Sequence, residues 1–362
     1  FCDVQILSDN YNNMIVETNF SKMFSSLFIV LTIFLVAMSQ DFYKEQYEKI
    51  SDYISLKIFL LIGAVCMISF GNLTMFFIGL EILSITLYIL AGSNPTKIKS
   101  NEAGMKYFLL GSFASGFILF GIALIYGATA SFDLNTISNA ILNPETPNFL
   151  SLGVVLVTIG MLFKIAAFPF HFWAPDVYQG SPTITTASMS TLAKVAAMAT
   201  LFKIHAIFES YMSEAFTVLL ICLAIVTMFV GNIMALKQDN IKRMLAYSGI
   251  SHAGFMMIAL FNTANATAEL FYYAAAYSFA SIAAFAIIIA VCKNYKDEKI
   301  KHFKGLGKQN PMMAAVLTMA LLSMAGIPIF AGFFGKFFLF DSALQSGHLE
   351  LVIFGVINSI IS

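Results

Sequence analysis

Long apolar runs alternate with short polar connections along almost the whole chain. Each run is about the 20 residues that a helix needs to cross the hydrocarbon of a bilayer. The pattern predicts spans near 23–39, 54–70, 73–92, 104–129, 150–172, 184–208, 215–236, 242–261, 268–292 and 312–340, and an eleventh begins near Leu349. Residues 1–22 are polar and irregular, and no soluble domain interrupts the series. The expected fold class is therefore all-α, a polytopic membrane helical bundle.

Two spans break the monotony. In LGVVLVTIGMLFKIAAFPFHFWAPDVYQGSP, Lys164 lies inside the apolar run and Pro169 follows five residues later. A Lys at mid-membrane costs roughly 2.5–3.5 kcal/mol on insertion scales. Pro removes a donor and clashes with the preceding turn, so the helix should break near Phe168–Pro169. Such an irregularity is tolerated only where it packs in protein or faces water. In SMAGIPIFAGFFGKFFLF, Pro328 and the small residues Gly326, Ala331, Gly332 and Gly335 precede Lys336. Broken helices at corresponding places in two oppositely oriented halves point to an inverted repeat. The expected division is 1–53 for the N-terminal polar segment and first span, 54–208 for a first five-helix repeat and 209–362 for a second, truncated one.

Charge sets the orientation. Lys44 and Lys49, Lys97 and Lys99, Lys237, Lys242 and Arg243, and Lys293, Lys296, Lys299, Lys301, Lys304 and Lys308 occupy alternate connections, with Lys106 just inside the helix after the second group. The connections between contain no Lys or Arg, and only Lys22 lies on the other side. Basic residues collect in the cytoplasm, so the Lys-bearing connections are expected there. The stretch Trp173–Pro182 is read as a cytoplasmic loop by parity.

Composition narrows the class. The chain has 362 residues, 59% hydrophobic and 11% charged, with a mean hydropathy of +0.82. Soluble domains carry about 25% charged residues. A net charge of +0 leaves no basis for nucleic-acid binding. Cys2, Cys66, Cys222 and Cys292 are far apart and form no metal or iron–sulfur pattern. The chain starts at Phe1 without Met and stops at Ser362 within an apolar run, so a fragment of a longer protein is expected.

With loop charges set aside, the intramembrane candidates are Glu81 in the third span, Lys164 in the fifth, Lys194 and Lys203 in the sixth and Lys336 in the tenth. Lys203 lies near a helix end and is expected to snorkel; His205 is similarly close to the interface. Glu81, Lys164 and Lys194 are too central for that. Their bland reading is a buried ion pair fixing helix register. Their functional reading is a proton relay, the default for intramembrane ionisable groups. A buried amine can shed its proton where guanidinium stays charged, and a mobile carboxylate neighbour would switch it. His171 follows Lys164 by seven residues, about 10 Å along a helix, so water would have to link them. His171 and His252 could carry protons near neutrality, or be packed and hydrogen-bonded.

FKIAAFPFHFWAPDVYQGSPT, QDNIKRMLAYSGISHAGF and SMAGIPIFAGFFGKF resemble the antiporter-like membrane subunits of respiratory complex I, NADH–quinone oxidoreductase, and related cation/proton antiporters. DVYQG after the Pro, with GFFGKF, is most similar to the branch called subunit N, or chain 2 in mitochondria. The family has about fourteen helices, of which this chain would lack the first two and the end. The resemblance implies a proton-translocating membrane-arm subunit in a bacterial inner membrane, or alternatively a mitochondrial one. It implies that Glu81 pairs with and tunes Lys164, that Lys164 is the central proton-loading amine, that Lys194 passes protons laterally and that Lys336 is the exit-side amine. His252 matches the intervening polar helix, and His171, Lys203 and His205 are secondary. The resemblance further implies that no cofactor is bound here, with NADH, FMN, iron–sulfur clusters and quinone in partner subunits. The expected partners are other membrane-arm subunits and the lipid bilayer, with no nucleic acid. The alternatives are a subunit of a Na⁺(K⁺)/H⁺ antiporter of the same fold, and a structural membrane subunit without a proton path.

Overall fold

The computed structural model describes all residues except 1–12, 43–49, 143–148, 294 and 296. Cys2, Lys44, Lys49 and Lys296 therefore lie outside the described residues. Every described element is helical, and the only β pairs are isolated bridges. The helices are α1 (Asn19–Phe42), α2 (Ile50–Ser69), α3 (Leu73–Ala91), α4 (Ile98–Thr129), α5 (Leu134–Ile141), α6 (Phe149–Ile165), α7 (Trp173–Gly180), α8 (Thr183–Ser188), α9 (Lys194–Phe208), α10 (Glu214–Ala235), α11 (Ile241–Met257), α12 (Thr267–Cys292), α13 (Leu306–Gln309), α14 (Pro311–Ala325), α15 (Ala331–Gln345) and α16 (Leu349–Ile361). A π-helical turn, Met189–Ala193, joins α8 to α9 in one continuous stretch.

The spans follow the hydropathy pattern and two of them break as expected, with two departures in the fifth. The fifth span ends as helix at Ile165, earlier than the proline alone dictates, because Ala166 adopts a left-handed φ of 59°. Trp173–Pro182, expected to be a loop, contains α7, the short second half of that broken span. The tenth span is two helices, α14 and α15, separated at Gly326–Phe330, where Gly326 has φ 83° and caps α14. The connection after α4, which has no Lys or Arg, also holds α5, whose N-cap is Asp133. Burial works against the Asp133 carboxylate, but hydrogen bonds from Thr136 and Asn13 outweigh it and hold the carboxyl below its ordinary range.

The packing repeats. α2 lies against α3 as α10 lies against α11; α4 lies against α6 as α12 lies against α14; α2 meets α9 as α10 meets α16. Small residues permit the closest approaches: a β-carbon at Gly63 would stand 2.6 Å from the Leu83 amide of α3, which is why that pair packs backbone to backbone. The stretches 183–211 and 241–262 are the most enclosed, with 83% and 89% of the residues in an 18-residue apolar window of each buried. They form the centre, and other helices show one face outward.

The Lys-bearing connections around 237–243 and 293–308 meet. Asn240 bridges Lys299, the Ile241 amide donates to Glu298, and Lys242 forms an ion pair with Glu298 at 3.4 Å. Lys242, expected as a loop charge, is buried in the first turn of α11, with its amine also on the Ser181 carbonyl at 2.7 Å. Asp176 of α7 meets Arg243 at 2.6 Å and Lys106 of α4 at 3.3 Å. Elsewhere, Asn72 bridges Asp133 and Ile15 bridges Phe70.

Candidate functional site

Lys164 occupies the last turn of α6, beside the break. The backbone groups freed there find partners: the Phe168 amide donates to Thr227 Oγ1 at 3.0 Å, and Trp173 Nε1 donates to the Phe163 carbonyl at 3.0 Å. The Phe168–Pro169 peptide is cis. These bonds show how backbone groups at a proline break can find partners at membrane depth. The Lys164 amine donates to Ser84 Oγ at 2.8 Å, Ser115 Oγ at 3.3 Å and Tyr88 Oη at 3.4 Å. Glu81 was expected to pair directly with it. The two form no ion pair within 4 Å; Glu81 sits one helical turn before Ser84, and its Oε1 is buried with no hydrogen-bond partner. The serine and tyrosine hydroxyls occupy the place given to the carboxylate. His171 lies in the break, its ring 5.7 Å from that of Phe168 and its Nδ1 unpartnered.

An aromatic wall leads from Lys164 to Lys194. Tyr88 meets Tyr107 at 4.9 Å, Tyr107 stacks on Trp173 at 4.6 Å, and Trp173 meets Tyr178 at 6.4 Å. The Lys194 amine stands 5.8 Å from the Tyr178 ring centroid. Lys194 is 3% exposed and its Nζ has no hydrogen-bond partner. The π-helical turn just before it shifts the helical register, an irregularity often found at functional positions. Across from it, Gly249 leaves the amine its space: a β-carbon there would lie 2.8 Å from Nζ and 2.9 Å from the Tyr277 hydroxyl.

The line continues through α11 and α12. Tyr277 Oη approaches Ser190 Oγ at 3.5 Å, and its ring lies 4.6 Å from that of His252. His252 Nδ1 pairs with Tyr273 Oη at 2.7 Å. Beyond Phe255 is Lys336, its amine 4.5 Å from that ring. Lys336 Nζ donates to the Ala325 carbonyl at 2.9 Å and to Ser359 Oγ at 3.2 Å. Helical side chains lean toward the N-terminus, so Lys336 reaches back from α15 to the second break. There its charge meets the negative end of α14.

A series of contacts thus links Lys164, Lys194, His252 and Lys336, with Glu81 one turn from Ser84 at its first member, and two candidates lie apart from it. Lys203 does not snorkel. Its amine donates to the carbonyls of Ile68 at 3.0 Å and Phe70 at 2.5 Å, closing the C-terminal end of α2. Those carbonyls have no helical partner, so the ammonium finds acceptors inside the protein. His205 is buried against the Leu260 backbone rather than lying at an interface. Sequence reasoning missed Lys57, buried between α1 and α2 on the Leu35 carbonyl and the Ser39 hydroxyl. It also missed the hydroxyls of Ser84, Tyr88, Ser115, Tyr273 and Tyr277. One signal was available, because Glu81, Ser84 and Tyr88 have i, i+3, i+7 spacing and share a helix face. Among the described residues no group of three or more His, Cys, Asp or Glu could hold a metal ion.

Residues 70–362 match the family described as NADH:quinone oxidoreductase/Mrp antiporter, TM. The chain is 60% identical over 359 residues to a Flavobacterium johnsoniae protein named NADH-quinone oxidoreductase subunit N, covering 97% of this chain and 78% of that protein. A chain of respiratory complex I from Thermus thermophilus superposes with a TM-score of 0.77 at 31% identity, over 95% of this chain and 74% of that one. A chain of an archaeal membrane-bound sulfane sulfur reductase gives 0.85 at 30% identity, over 94% and 70%. A chain of the Mrp complex from Dietzia sp. DQ12-45-1b gives 0.81 at 23% identity, over 94% and 64%, a likeness of fold alone.

Proposed function

The chain belongs to the NADH:quinone oxidoreductase/Mrp antiporter transmembrane family, and from that premise we propose that its central line of buried groups is a proton path. The protein is a multi-pass inner-membrane subunit of a bacterial NADH–quinone oxidoreductase, in the antiporter-like part of the membrane arm. Glu81 and Lys164 load protons in the first half, 54–208. Lys194 passes charge toward the second half, 209–362, through the space shared with Tyr277 and His252. Lys336 receives it at the second break. Redox chemistry, with NADH, FMN, iron–sulfur clusters and quinone, belongs to partner subunits, and the other membrane-arm subunits and the bilayer surround this one.

One observation carries the reading. The Lys194 amine is enclosed at the middle of the bundle with no hydrogen-bond partner in the protein. A buried polar group left unpaired costs about 1–3 kcal/mol, more if charged, so a purely structural lysine there would be a liability. A site that exchanges protons through water has a use for such an amine, because water can reach it and leave. His171, half-buried with a free Nδ1 at the first break, is a secondary carrier on the same path. Lys203 and His205 serve structure.

The test is Lys194→Met in the assembled oxidoreductase, reconstituted in vesicles with NADH and quinone. Proton uptake per quinone reduced should fall while native gels show intact assembly. Parental uptake by the assembled variant would overturn the path.

A further inference from the structure

We propose that Ser84, Tyr88 and Ser115 form a second docking position for the Lys164 amine, between which and Glu81 the amine alternates. This rests on the proton-path reading of Lys164. In the structure the amine is at the hydroxyls, on all three of them. Glu81 meanwhile holds a buried carboxylate oxygen with no partner, about one turn away on the same face of α3. A flexible four-carbon stem can span that interval, so one amine has two alternative sets of acceptors.

The two positions differ in chemistry. A carboxylate only accepts, so it can pair with the amine's N–H groups but leaves the lone pair of a neutral amine without a donor. Serine and tyrosine hydroxyls accept and donate, so they can hold the ammonium and then turn to donate to the lone pair of the neutral amine. Docking at the hydroxyls separates the amine from its counter-charge without leaving it unpaired in either protonation state. The fold preserves the position: Ser84 and Tyr88 come from α3 and Ser115 from α4, and Gly111 of α4 leaves room for the Tyr88 hydroxyl, with which a β-carbon there would collide.

The test uses the complete oxidoreductase in vesicles, reading protons taken up per quinone reduced. The variants are Tyr88→Phe, Ser84→Ala with Ser115→Ala, Ser84→Thr with Ser115→Thr, and Lys164→Met. Tyr88→Phe keeps the ring on Tyr107 and Phe108, so assembly should survive. The Phe and Ala variants should lose proton uptake per quinone, and the Thr pair, which restores both hydroxyls, should recover it. Combining Tyr88→Phe with Glu81→Gln should lose no more than the worse single variant, because either change stops the same swing. Parental uptake by the Phe and Ala variants beside a failed Lys164→Met would overturn the second position and leave the path standing. Parental uptake by Lys164→Met would overturn the path itself. Equal loss in the Ala and Thr pairs would assign the serines to packing and likewise overturn the proposal.

Discussion

Replacing Lys336 by Met separates relay from scaffold, because the two roles predict opposite balances of stability and activity. The substitution removes the amine from the Ala325 carbonyl and from Ser359 Oγ. Leaving that carbonyl unpaired costs about 1–3 kcal/mol; the serine hydroxyl can turn elsewhere. The lost contact with the Phe255 ring is worth about 2 kcal/mol when desolvated, and a Met sulfur against the same ring returns about 0.3–1.5 kcal/mol. Against these stands the desolvation cost of a charge at a residue only 2% exposed, several kcal/mol per ion, which an apolar side chain does not carry. The terms nearly cancel, so the assembled enzyme should keep its thermal midpoint to within a few degrees. Proton uptake should nevertheless fail, and quinone reduction with it where the two are tightly coupled. Lys336→Arg should fail also, because guanidinium keeps its proton. The assays are native gel electrophoresis, thermal unfolding of the assembled complex, and proton uptake with quinone reduction in vesicles. A Met variant that assembles and pumps at the parental rate would reduce Lys336 to packing and remove the reason for a proton path in the second half.

Glu81→Gln should assemble and pump less, since Lys164 then has no carboxylate to return to; full pumping by the assembled variant refutes that role. Lys203→Met should do the reverse, destabilising by about 1–3 kcal/mol through the unpaired Ile68 and Phe70 carbonyls while the assembled fraction pumps normally, as thermal unfolding and vesicle assays would show. Single cysteines placed at Lys97, Lys237 or Lys304 should resist impermeant reagents applied outside sealed cells; labelling at any of them would invert the topology. In the connection between α12 and α13, the hydrogen bond from His302, aided by Lys299, holds the Asp297 carboxyl below its ordinary range. The sign follows: its contribution is complete above the unfolded carboxyl pKa of about 3.9 and is lost as pH falls through the lower folded value. A spin label at Lys301 should keep one mobility from pH 7 to 5 and loosen only in stronger acid.

The breaks and the buried amines were legible because they are properties of single residues. Pro169, Pro328 and the charges of Lys164, Lys194 and Lys336 stand out against apolar neighbours wherever those neighbours fold. The alternation of basic connections supported the division into spans for the same reason. Partners were not legible. Lys164 meets hydroxyls 80, 76 and 49 residues away, and Lys203 meets carbonyls 135 and 133 residues away. Lys242 has the sequence signature of a loop charge, yet it is buried because Ser181 and Glu298 converge on it. A soluble helix marks its buried face with a polar one opposite, but lipid tails are as apolar as a protein core. α4 is therefore apolar around most of its circumference, and its sequence does not say which side meets Lys164 and which meets lipid. The residue pattern alone determined that the chain crosses the membrane many times, that two spans break near Pro169 and Pro328, and that Lys164, Lys194 and Lys336 lie inside it. Only the packing of helices decided that Lys164 rests on Ser84, Tyr88 and Ser115 instead of Glu81, because that choice depends on how far each helix is turned about its own axis.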